Sequence, residues 1–363
     1  MRSAWLVHPV SRRYYVAQRR RALGPLEVPW KRSLVDVQGD VLLCDRGIGR
    51  YRNYSISLPE KVTGQRKWPR AFDSLMSESN PNADRLREYL ATGKLFVTPC
   101  CGDALTARLI ENAGFEMTFV SGFGISASRL AMPDAGLISF GEVLDQVRNI
   151  ASAIKIPFLV DGDTGYGNAL NVRRTVESYA NMGAACVMIE DQVAPKRCGH
   201  TKGKQVVDRD TAFRRIQAAV DARNEGRDVL IMGRTDSLES MGMEEAIARA
   251  NGYREIGADI TFVEAPKTMD ALKRICNEVD GPQMANMLEG GLTPMLSPAE
   301  LQELGFSIAS YPFTLLMRSI KTIQDALAEM RTGNIPSAVM SFDELKTVVG
   351  FDQYYSDEDR YSK

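Results

Sequence analysis

The chain has 363 residues, of which 44% are hydrophobic and 25% are charged, and its formal net charge is −1. This composition is typical of soluble globular proteins, and the small net charge gives no overall field that attracts nucleic acid or an anionic membrane. No apolar run reaches the roughly 18 residues that a membrane-spanning helix needs. We therefore expect neither nucleic acid nor a membrane as a partner. The six cysteines, which have no CxxC spacing, favour a reducing compartment over a disulfide framework.

The N-terminal segment 1–26 contains six arginines and no acidic residue. An arginine-rich, acid-free composition is typical of an organellar transit peptide, and the dominance of arginine over serine favours the mitochondrion over the plastid. A basic tail without a targeting role, in a cytoplasmic protein, is the alternative. Residues 27–83 lack a clear periodic pattern, and we interpret them as an irregular N-terminal extension ahead of the folded core.

Eight short apolar runs follow, and helical stretches separate them. Each run is continuous rather than alternating, which is typical of strands that are buried on both faces. One of the intervening stretches, 208–225, has apolar residues at helical spacing. The predicted strands cover residues 94–99, 117–121, 156–161, 185–190, 228–234, 259–265, 283–287 and 306–310.

This alternation of strands and helices predicts an α/β fold, a (β/α)8 barrel over residues 84–330, followed by a helical tail at 331–363. The alternative α/β architecture is a doubly wound open sheet, which would need a glycine-rich phosphate-binding motif after its first strand. The sequence TPCCGDA at that place is not such a motif. The sequence therefore favours the barrel.

Polar side chains follow the predicted strands, at the end of a barrel where catalytic groups lie. Asp161, Asp163 and Glu190 follow two neighbouring strands and would repel each other unless a cation neutralised them. Oxygen ligands favour Mg²⁺, with Mn²⁺ as the second choice, over Zn²⁺. The alternative is that these carboxylates cap helices or pair with basic side chains. The other predicted strand ends carry Ser121 and Gly122, Asp191, Arg234 and Asp236, Glu264, and Asn286.

The segment PKRCGH, residues 195–200, places Cys198 among basic residues in a glycine-containing loop. A zinc site would need further cysteine or histidine ligands at suitable spacing, and the other histidine, His8, lies in the predicted transit segment. A buried structural cysteine is the alternative. Because nearby positive charge lowers the pKa of a thiol, we expect Cys198 to be reactive.

Seven motifs resemble, in order and spacing, those of the isocitrate lyase/phosphoenolpyruvate mutase superfamily, over about residues 84–330. They are VSGFG, MPDAG, VDGDTGYGN, IEDQVAPKRCGH, GRTD, FVEAP and ANMLEGGLTP. The resemblance implies a (β/α)8 barrel, Mg²⁺ and chemistry on small 2-oxo or 2-hydroxy carboxylates. It also implies a homo-oligomer, usually a dimer of dimers, in which the last barrel helix swaps between subunits.

Carried onto this chain residue by residue, the resemblance makes Asp161 the acid that binds Mg²⁺ most directly. Asp163, Asp134 and Glu190 would complete the metal shell, largely through water. Cys198 matches the lid cysteine that marks the carbon–carbon lyases. The other implied site residues are Arg234 as the clamp for the substrate carboxylate, His200 as a catalytic group, and Ser121, Gly122, Phe123, Gly199, Glu264 and Asn286 as substrate contacts.

The implied reaction cleaves the C2–C3 bond of a 2-hydroxy acid into a 2-oxo acid, such as pyruvate, and a carboxylate, such as succinate, with Cys198 as the general acid. Phe119 stands where isocitrate and methylisocitrate lyases typically have tyrosine, and Gly233 stands where the family usually has alanine. The last two motifs are more similar to the dimethylmalate lyase branch, so we favour a 2-alkylmalate or 2-methylisocitrate substrate over isocitrate. The alternatives are oxaloacetate decarboxylation, phosphonopyruvate-type mutase or hydrolase chemistry, and a non-catalytic scaffold.

Overall fold

The computed structural model describes residues 79–201 and 203–362 and, of the chain before residue 79, the backbone of four short strands. These strands pair in chain order as an antiparallel sheet: β1 (Tyr15–Ala17), β2 (Ser33–Val35), β3 (Val41–Cys44) and β4 (Tyr51–Tyr54). Three of them fall in the segment that we predicted to be irregular, because runs of three or four residues carry too little periodicity to predict a strand. The remainder of the predicted transit segment 1–26, and of the extension 27–83 up to residue 78, lies outside the described residues, and both boundaries stay predictions.

A barrel of eight parallel strands follows, and each strand overlaps one of the predicted apolar runs. Every residue of several of these strands is buried, which is the reason for their continuous apolar sequences. The strands are β5 (Phe96–Cys101), β6 (Thr118–Val120), β7 (Phe158–Asp161), β8 (Cys186–Glu190), β9 (Leu230–Thr235), β10 (Ile260–Val263), β11 (Met284–Asn286) and β12 (Ile308–Tyr311).

The strands form a nearly closed ring. Strands β5 to β10 pair in chain order, and β12 pairs with both β11 and β5. Between β10 and β11, Thr261 forms a parallel bridge with Gln283, and its N–H donates to the carbonyl oxygen of Pro282 at 3.1 Å. This arrangement confirms the predicted (β/α)8 barrel.

Helices alternate with the strands, and several begin at a side-chain cap. Asp208, for example, accepts a hydrogen bond from the Thr211 N–H at 2.8 Å and so starts the helix that we predicted over 208–225. Among the described residues, no helix is long and apolar enough to cross a membrane. The helices are α1 (Pro81–Ala91), α2 (Ala104–Asn112), α3 (Gly122–Ile125), which the π-helical turn Ser126–Leu130 extends, α4 (Phe140–Ala153), α5 (Ala169–Asn181), α6 (Arg209–Asn224), α7 (Ser237–Met241), α8 (Met243–Ile256), α9 (Met269–Glu278), α10 (Pro298–Leu304), α11 (Thr314–Arg331), α12 (Phe342–Val349) and α13 (Phe351–Tyr361).

Apolar side chains fill the space between the strands and the helices. Val160 of β7 and Val187 of β8 are fully buried in one cluster with Val176 and Tyr179 of α5. Burial of a side chain of this size contributes about 1.5–3 kcal/mol. Packing against this core therefore fixes the positions of the strands. It thereby also fixes the backbone positions of the polar residues that directly follow them.

Candidate active site

A cavity opens at the carboxyl ends of the barrel strands. Most of the predicted site residues line it, namely Ser121, Phe123, Asp134, Asp161, Cys198, Gly199, His200, Arg234, Glu264 and Asn286. The other three, Gly122, Asp163 and Glu190, lie directly behind lining residues. A Cβ atom on Gly122 would come within 3.0 Å of Asp161 Oδ2, so a glycine is needed for this close approach.

Four predicted metal-binding carboxylates lie together at one side of the cavity. Asp161 ends β7, and its Oδ1 accepts a hydrogen bond from the Asp163 N–H at 2.9 Å. The backbone of Asp163 has a φ of +48°, a left-handed conformation that is uncommon for a residue other than glycine. Lys196 Nζ lies 2.6 Å from Asp163 Oδ1 and 2.7 Å from Asp134 Oδ2. Glu190 is the fourth member, and all four carboxylates are buried.

Burial and repulsion by neighbouring carboxylates raise the pKa values of Asp161, Asp134 and Glu190. Burial, followed by the charge of Asp163, raises the pKa of Asp161 to about 6. Burial also raises the pKa of Asp134 and holds that of Glu190 well above its ordinary value. For Lys196, burial lowers the pKa, but the surrounding carboxylates outweigh it and raise the pKa well above its ordinary value. The cluster therefore has more negative charge than its own lysine compensates.

The free oxygens of the cluster fit a hydrated Mg²⁺ ion. Asp134 Oδ1 and Glu190 Oε1 are buried and have no hydrogen-bond partner. Within the part of the chain that the structure describes, no three histidine, cysteine or acidic side chains lie close enough to hold a metal by direct contact alone. Mg²⁺ usually keeps several of its waters and is bound by one or two carboxylates. The assignment of Asp161 as the most direct ligand, with the other carboxylates binding largely through water, stays a prediction.

Arg234 adjoins this acidic cluster and lies between three carboxylates. Its Nε is 2.9 Å from Asp236 Oδ2 and 3.3 Å from Glu190 Oε2, and its Nη2 is 3.0 Å from Glu264 Oε2. Asn286 Nδ2 donates to the same Glu264 oxygen at 3.3 Å. Burial raises the pKa of Glu264, but Arg234 and then His200 outweigh it and lower that pKa to about 2. The guanidinium is therefore fixed in a buried, fully ionised setting that suits recognition of a carboxylate.

The described residues 194–201 and 203–204, which lie between β8 and α6 in the chain, are called the lid here. Residues 196–200 of the lid line the cavity. At its base Gln192 forms an antiparallel bridge with Val206. The side-chain amide of Gln192 holds the backbone of Arg197 by two hydrogen bonds of 2.9 Å, one donated and one accepted. Further along, a Cβ atom on Gly199 would come within 2.6 Å of Arg234 Nη2 and of Glu264. The lid therefore packs directly on Arg234 and Glu264.

Cys198 lines the cavity from the lid, as predicted, but the predicted lowering of its thiol pKa is wrong. Burial raises the pKa of Cys198, a backbone hydrogen bond near His200 opposes this, and the charges of Asp134 and Glu264 raise it further. The basic residues that flank the cysteine in sequence do not dominate its surroundings in the fold. At neutral pH the group is therefore a protonated thiol, which is the form that a general acid requires.

His200 closes the cavity between the lid and the loop after β11. Its Nε2 lies 3.1 Å from Glu264 Oε1, and its Nδ1 accepts a hydrogen bond from the Leu292 N–H at 3.1 Å. Because Nδ1 is an acceptor here, the ring proton of a neutral imidazole resides on Nε2, which faces Glu264. The predicted catalytic histidine is thus brought to the cavity wall.

Sequence reasoning missed three contributors to the site. In the sequence, Lys196 and Lys204 were only two of the basic residues near Cys198. In the structure both are buried and paired with carboxylates. The need to neutralise clustered acids was the signal that could have pointed to Lys196. Phe313, which follows β12, packs on Phe123 with ring centroids 4.3 Å apart, and no local pattern marks it as a lining residue.

Comparison with known proteins gives the family. Residues 86–331 match the family described as phosphoenolpyruvate phosphomutase. The chain belongs to this family. Three relatives are the 2,3-dimethylmalate lyase of Eubacterium barkeri (39% identical over 77% of this chain and 98% of the relative), the chloroplastic carboxyvinyl-carboxyphosphonate phosphorylmutase of Arabidopsis thaliana (39%, 78% and 86%) and the 2-methylisocitrate lyase of Aeropyrum pernix (38%, 74% and 87%).

Solved structures agree with this assignment. Oxaloacetate acetylhydrolase in complex with 3,3-difluorooxalacetate superimposes with a TM-score of 0.75 at 33% identity, over 77% of this chain and 97% of that one. Phosphonopyruvate hydrolase in complex with oxalate and Mg²⁺ gives 0.70 at 30% identity, over 78% and 99%. The predicted superfamily is confirmed, and with it the prediction of an enzyme of the carbon–carbon lyase class.

Proposed function

We propose that the protein is a Mg²⁺-dependent lyase that cleaves the C2–C3 bond of a 2-alkylmalate-type 2-hydroxy acid, with 2-methylisocitrate as the related tricarboxylate candidate. The observation that carries the proposal is the position of Cys198, which lines the same cavity as Asp161 and Arg234. The proposed proton donor Cys198, the proposed metal ligand Asp161 and the proposed carboxylate-binding residue Arg234 thus line one cavity. Relatives named 2,3-dimethylmalate lyase and 2-methylisocitrate lyase support the substrate class.

An apolar wall favours the alkylmalate among these candidates. The cavity is lined by Phe119, Phe123, Met188, Phe262, Met284 and Phe313 in addition to its polar residues. Alkyl substituents at C2 and C3 gain about 0.8 kcal/mol for each methylene that they bury against such side chains. A third carboxylate would instead need a further cation or hydrogen-bond donors to compensate its lost hydration.

The geometry supports the following mechanism. Asp161, with Asp134, Asp163 and Glu190, would hold Mg²⁺, which would supply Lewis-acid stabilisation of the negative charge that develops on the substrate. Arg234, fixed by Asp236 and Glu264, orients a carboxylate of the substrate. A carboxylate of the acidic cluster accepts the proton of the C2 hydroxyl, the C2–O bond becomes a carbonyl, and the C2–C3 bond breaks with its electron pair passing to C3. Cys198 then donates its thiol proton to C3, so that a 2-oxo acid and a saturated carboxylate are released.

A substrate panel tests this proposal. The purified protein is incubated with dimethylmalate, methylisocitrate, isocitrate, oxaloacetate and phosphonopyruvate, and the 2-oxo acid or oxalate product is measured with Mg²⁺ or with EDTA. We expect Mg²⁺-dependent cleavage of dimethylmalate or methylisocitrate. Cys198→Ser should lower turnover by roughly 10²–10⁴, the usual contribution of a positioned acid. Cys276→Ser, on α9 outside the cavity, is the matched control and should leave turnover unchanged.

Other outcomes of the panel would contradict the proposal. Product from oxaloacetate or phosphonopyruvate alone would assign the chain to one of the alternative activities of the superfamily. Full activity of Cys198→Ser on the preferred substrate would remove the thiol from the mechanism. A folded protein without activity on any member of the panel would favour the non-catalytic scaffold.

We also propose a mitochondrial location and a homo-oligomer built as a dimer of dimers. The acid-free, arginine-rich segment 1–26 supports the location, with plastid or cytoplasm as alternatives. A fluorescent fusion of the full chain should enter mitochondria, and one that lacks residues 1–26 should not; equal cytoplasmic signals from both would contradict it.

The absence of any buried residue from α11, α12 and α13 supports association of these helices with a second copy.

A further inference from the structure

Lys204, at the end of the lid, lies buried between the thiol segment and the Arg234 cluster. Its ammonium donates a hydrogen bond to the carbonyl oxygen of Gly199, the residue after Cys198. The same Nζ lies 3.2 Å from Asp236 Oδ1 and 3.7 Å from Glu239 Oε2. Only 1% of the Lys204 side chain is exposed. Lysine is rarely buried to this extent unless it is paired, so these contacts define its position.

Asp236 connects Lys204 to the carboxylate clamp. Its Oδ2 accepts a hydrogen bond from Arg234 Nε at 2.9 Å, and its Oδ1 accepts one from Arg234 Nη2 at 3.1 Å. The oxygen Oδ1 is thus shared by Arg234 and Lys204. The N–H of Asp236 donates to Asp191 Oδ1 at 2.9 Å, which fixes the backbone behind the carboxylate. Two cations therefore set the orientation of one fully buried carboxylate.

We propose that Lys204 is a positioning residue for both groups that act on the substrate. It fixes Cys198 through the Gly199 carbonyl, and it fixes Arg234 through Asp236. Without Lys204, the Gly199 carbonyl oxygen loses the hydrogen bond that the ammonium group donates. Asp236 Oδ1 then keeps its contact with Arg234 but loses its contact with the lysine. Both the lid and the guanidinium would then gain alternative orientations. The roles of Cys198 and Arg234 come from the proposed function; the contacts of Lys204 do not depend on it.

The test compares Lys204→Met with Lys267→Met. Lys267 also faces Glu239, at 3.9 Å, but its side chain is 53% exposed and does not line the cavity, so it is a matched control. Two quantities are measured on the full chain at a temperature where circular dichroism shows each variant to be folded. The first is the Kd of oxalate in the presence of Mg²⁺, by calorimetry. The second is the rate at which iodoacetamide alkylates Cys198 with oxalate and Mg²⁺ present, by peptide mass spectrometry.

We expect Lys204→Met to raise the oxalate Kd roughly tenfold and to accelerate alkylation of Cys198 by a similar factor, as loss of a supporting contact around a site typically does. Lys267→Met should match the wild type in both. If only the oxalate Kd or only the alkylation rate changes, or if neither changes, the inference is overturned. A lysine that only stabilises the fold would leave both quantities unchanged in the folded variant. If Lys204→Met does not fold, Lys204→Gln replaces it under the same criteria. Neither measurement needs turnover, so a wild type without lyase activity would overturn the proposed function alone.

Discussion

Among the described residues, Asp161 is the member of the acidic cluster that forms no ion pair with a lysine or arginine, whereas Asp134, Asp163 and Glu190 each form one. Lys196 pairs with its neighbours Asp134 and Asp163, and the pKa of Asp161 is raised to about 6, first by burial and then by the charge of Asp163. In an unfolded chain the same group titrates near about 3.9. The metal-free folded protein therefore holds a proton on Asp161 over a pH range in which the unfolded chain has lost it.

This difference predicts how the stability of the metal-free protein depends on pH. A raised pKa contributes stability that is fully present below the unfolded value and is lost as the pH rises through the folded value. The free energy of unfolding in EDTA should thus fall between about pH 4 and 6, by about 3 kcal/mol for a shift of two units. Asp161→Asn cannot ionise and should flatten this part of the profile, as measured by urea unfolding at a series of pH values.

Mg²⁺ should increase the free energy of unfolding, whereas the loss of the Asp161 proton at rising pH decreases it. A ligand that binds the folded state stabilises it by mass action, so millimolar Mg²⁺ at neutral pH should raise the urea midpoint of the wild type and leave that of Asp161→Asn unchanged. Asp325→Asn, at an exposed ion pair on α11, is the control and should behave as the wild type. An Asp161→Asn variant that keeps both the wild-type pH profile and the Mg²⁺ response would refute this account of Asp161.

At the scale of elements, the strands were predictable and the contacts of the lid were not. Strands buried on both faces need continuous apolar runs, and polar residues at their carboxyl ends follow from the barrel geometry. The pairing of Lys196 with Asp134 joins positions 62 residues apart, which no local pattern encodes. The error on the thiol of Cys198 has the same cause. Its basic neighbours are visible in sequence, whereas its burial and the approach of Asp134 and Glu264, which raise its pKa, arise only in the fold.

Asp191 joins three elements behind the cavity. Its Oδ2 accepts hydrogen bonds from Thr235 Oγ1 of β9 at 2.7 Å, and from Arg249 Nη1 and Tyr253 OH of α8 at 3.0 and 3.1 Å. Its Oδ1 accepts from the Asp236 N–H. Because Asp191 directly follows β8, one buried carboxylate ties β8, β9 and α8 together at the end of the barrel that carries the site.

Removal of this carboxylate should destabilise the barrel strongly. Asp191→Ala leaves Arg249 without one of its buried partners, and loss of one member of a buried ion pair costs roughly 3–5 kcal/mol. Asp145→Ala removes the partner of two half-exposed arginines, for which the expected loss is about 0–1 kcal/mol. Urea unfolding at neutral pH measures both values. Equal losses for the two variants would mean that the Asp191 contacts do not hold these elements together.

At the scale of the whole molecule, apolar surface is concentrated at the C-terminal end of the described chain. Of 25 exposed large hydrophobic side chains, 15 lie between residues 317 and 361, on α11 to α13 and the segment between α11 and α12. Ile335 is 92% exposed and Phe342 is 73% exposed. Apolar surface on this scale marks an interaction site in a protein that stays in solution. A second copy of the chain is the partner that we propose, because every copy presents the same surface.

The mass of the assembly in solution tests this proposal. The wild type should elute as a tetramer in size-exclusion chromatography with light scattering, whereas Ile335→Asp combined with Phe342→Asp should give a smaller species, since charges in an apolar interface lose hydration without gaining partners. Leu170→Asp introduces the same charge at a 76% exposed leucine of α5, outside the C-terminal helices, and should stay tetrameric. A monomeric wild type would refute self-association. Dissociation by Leu170→Asp but not by the double variant would locate the interface on the outer helices of the barrel instead.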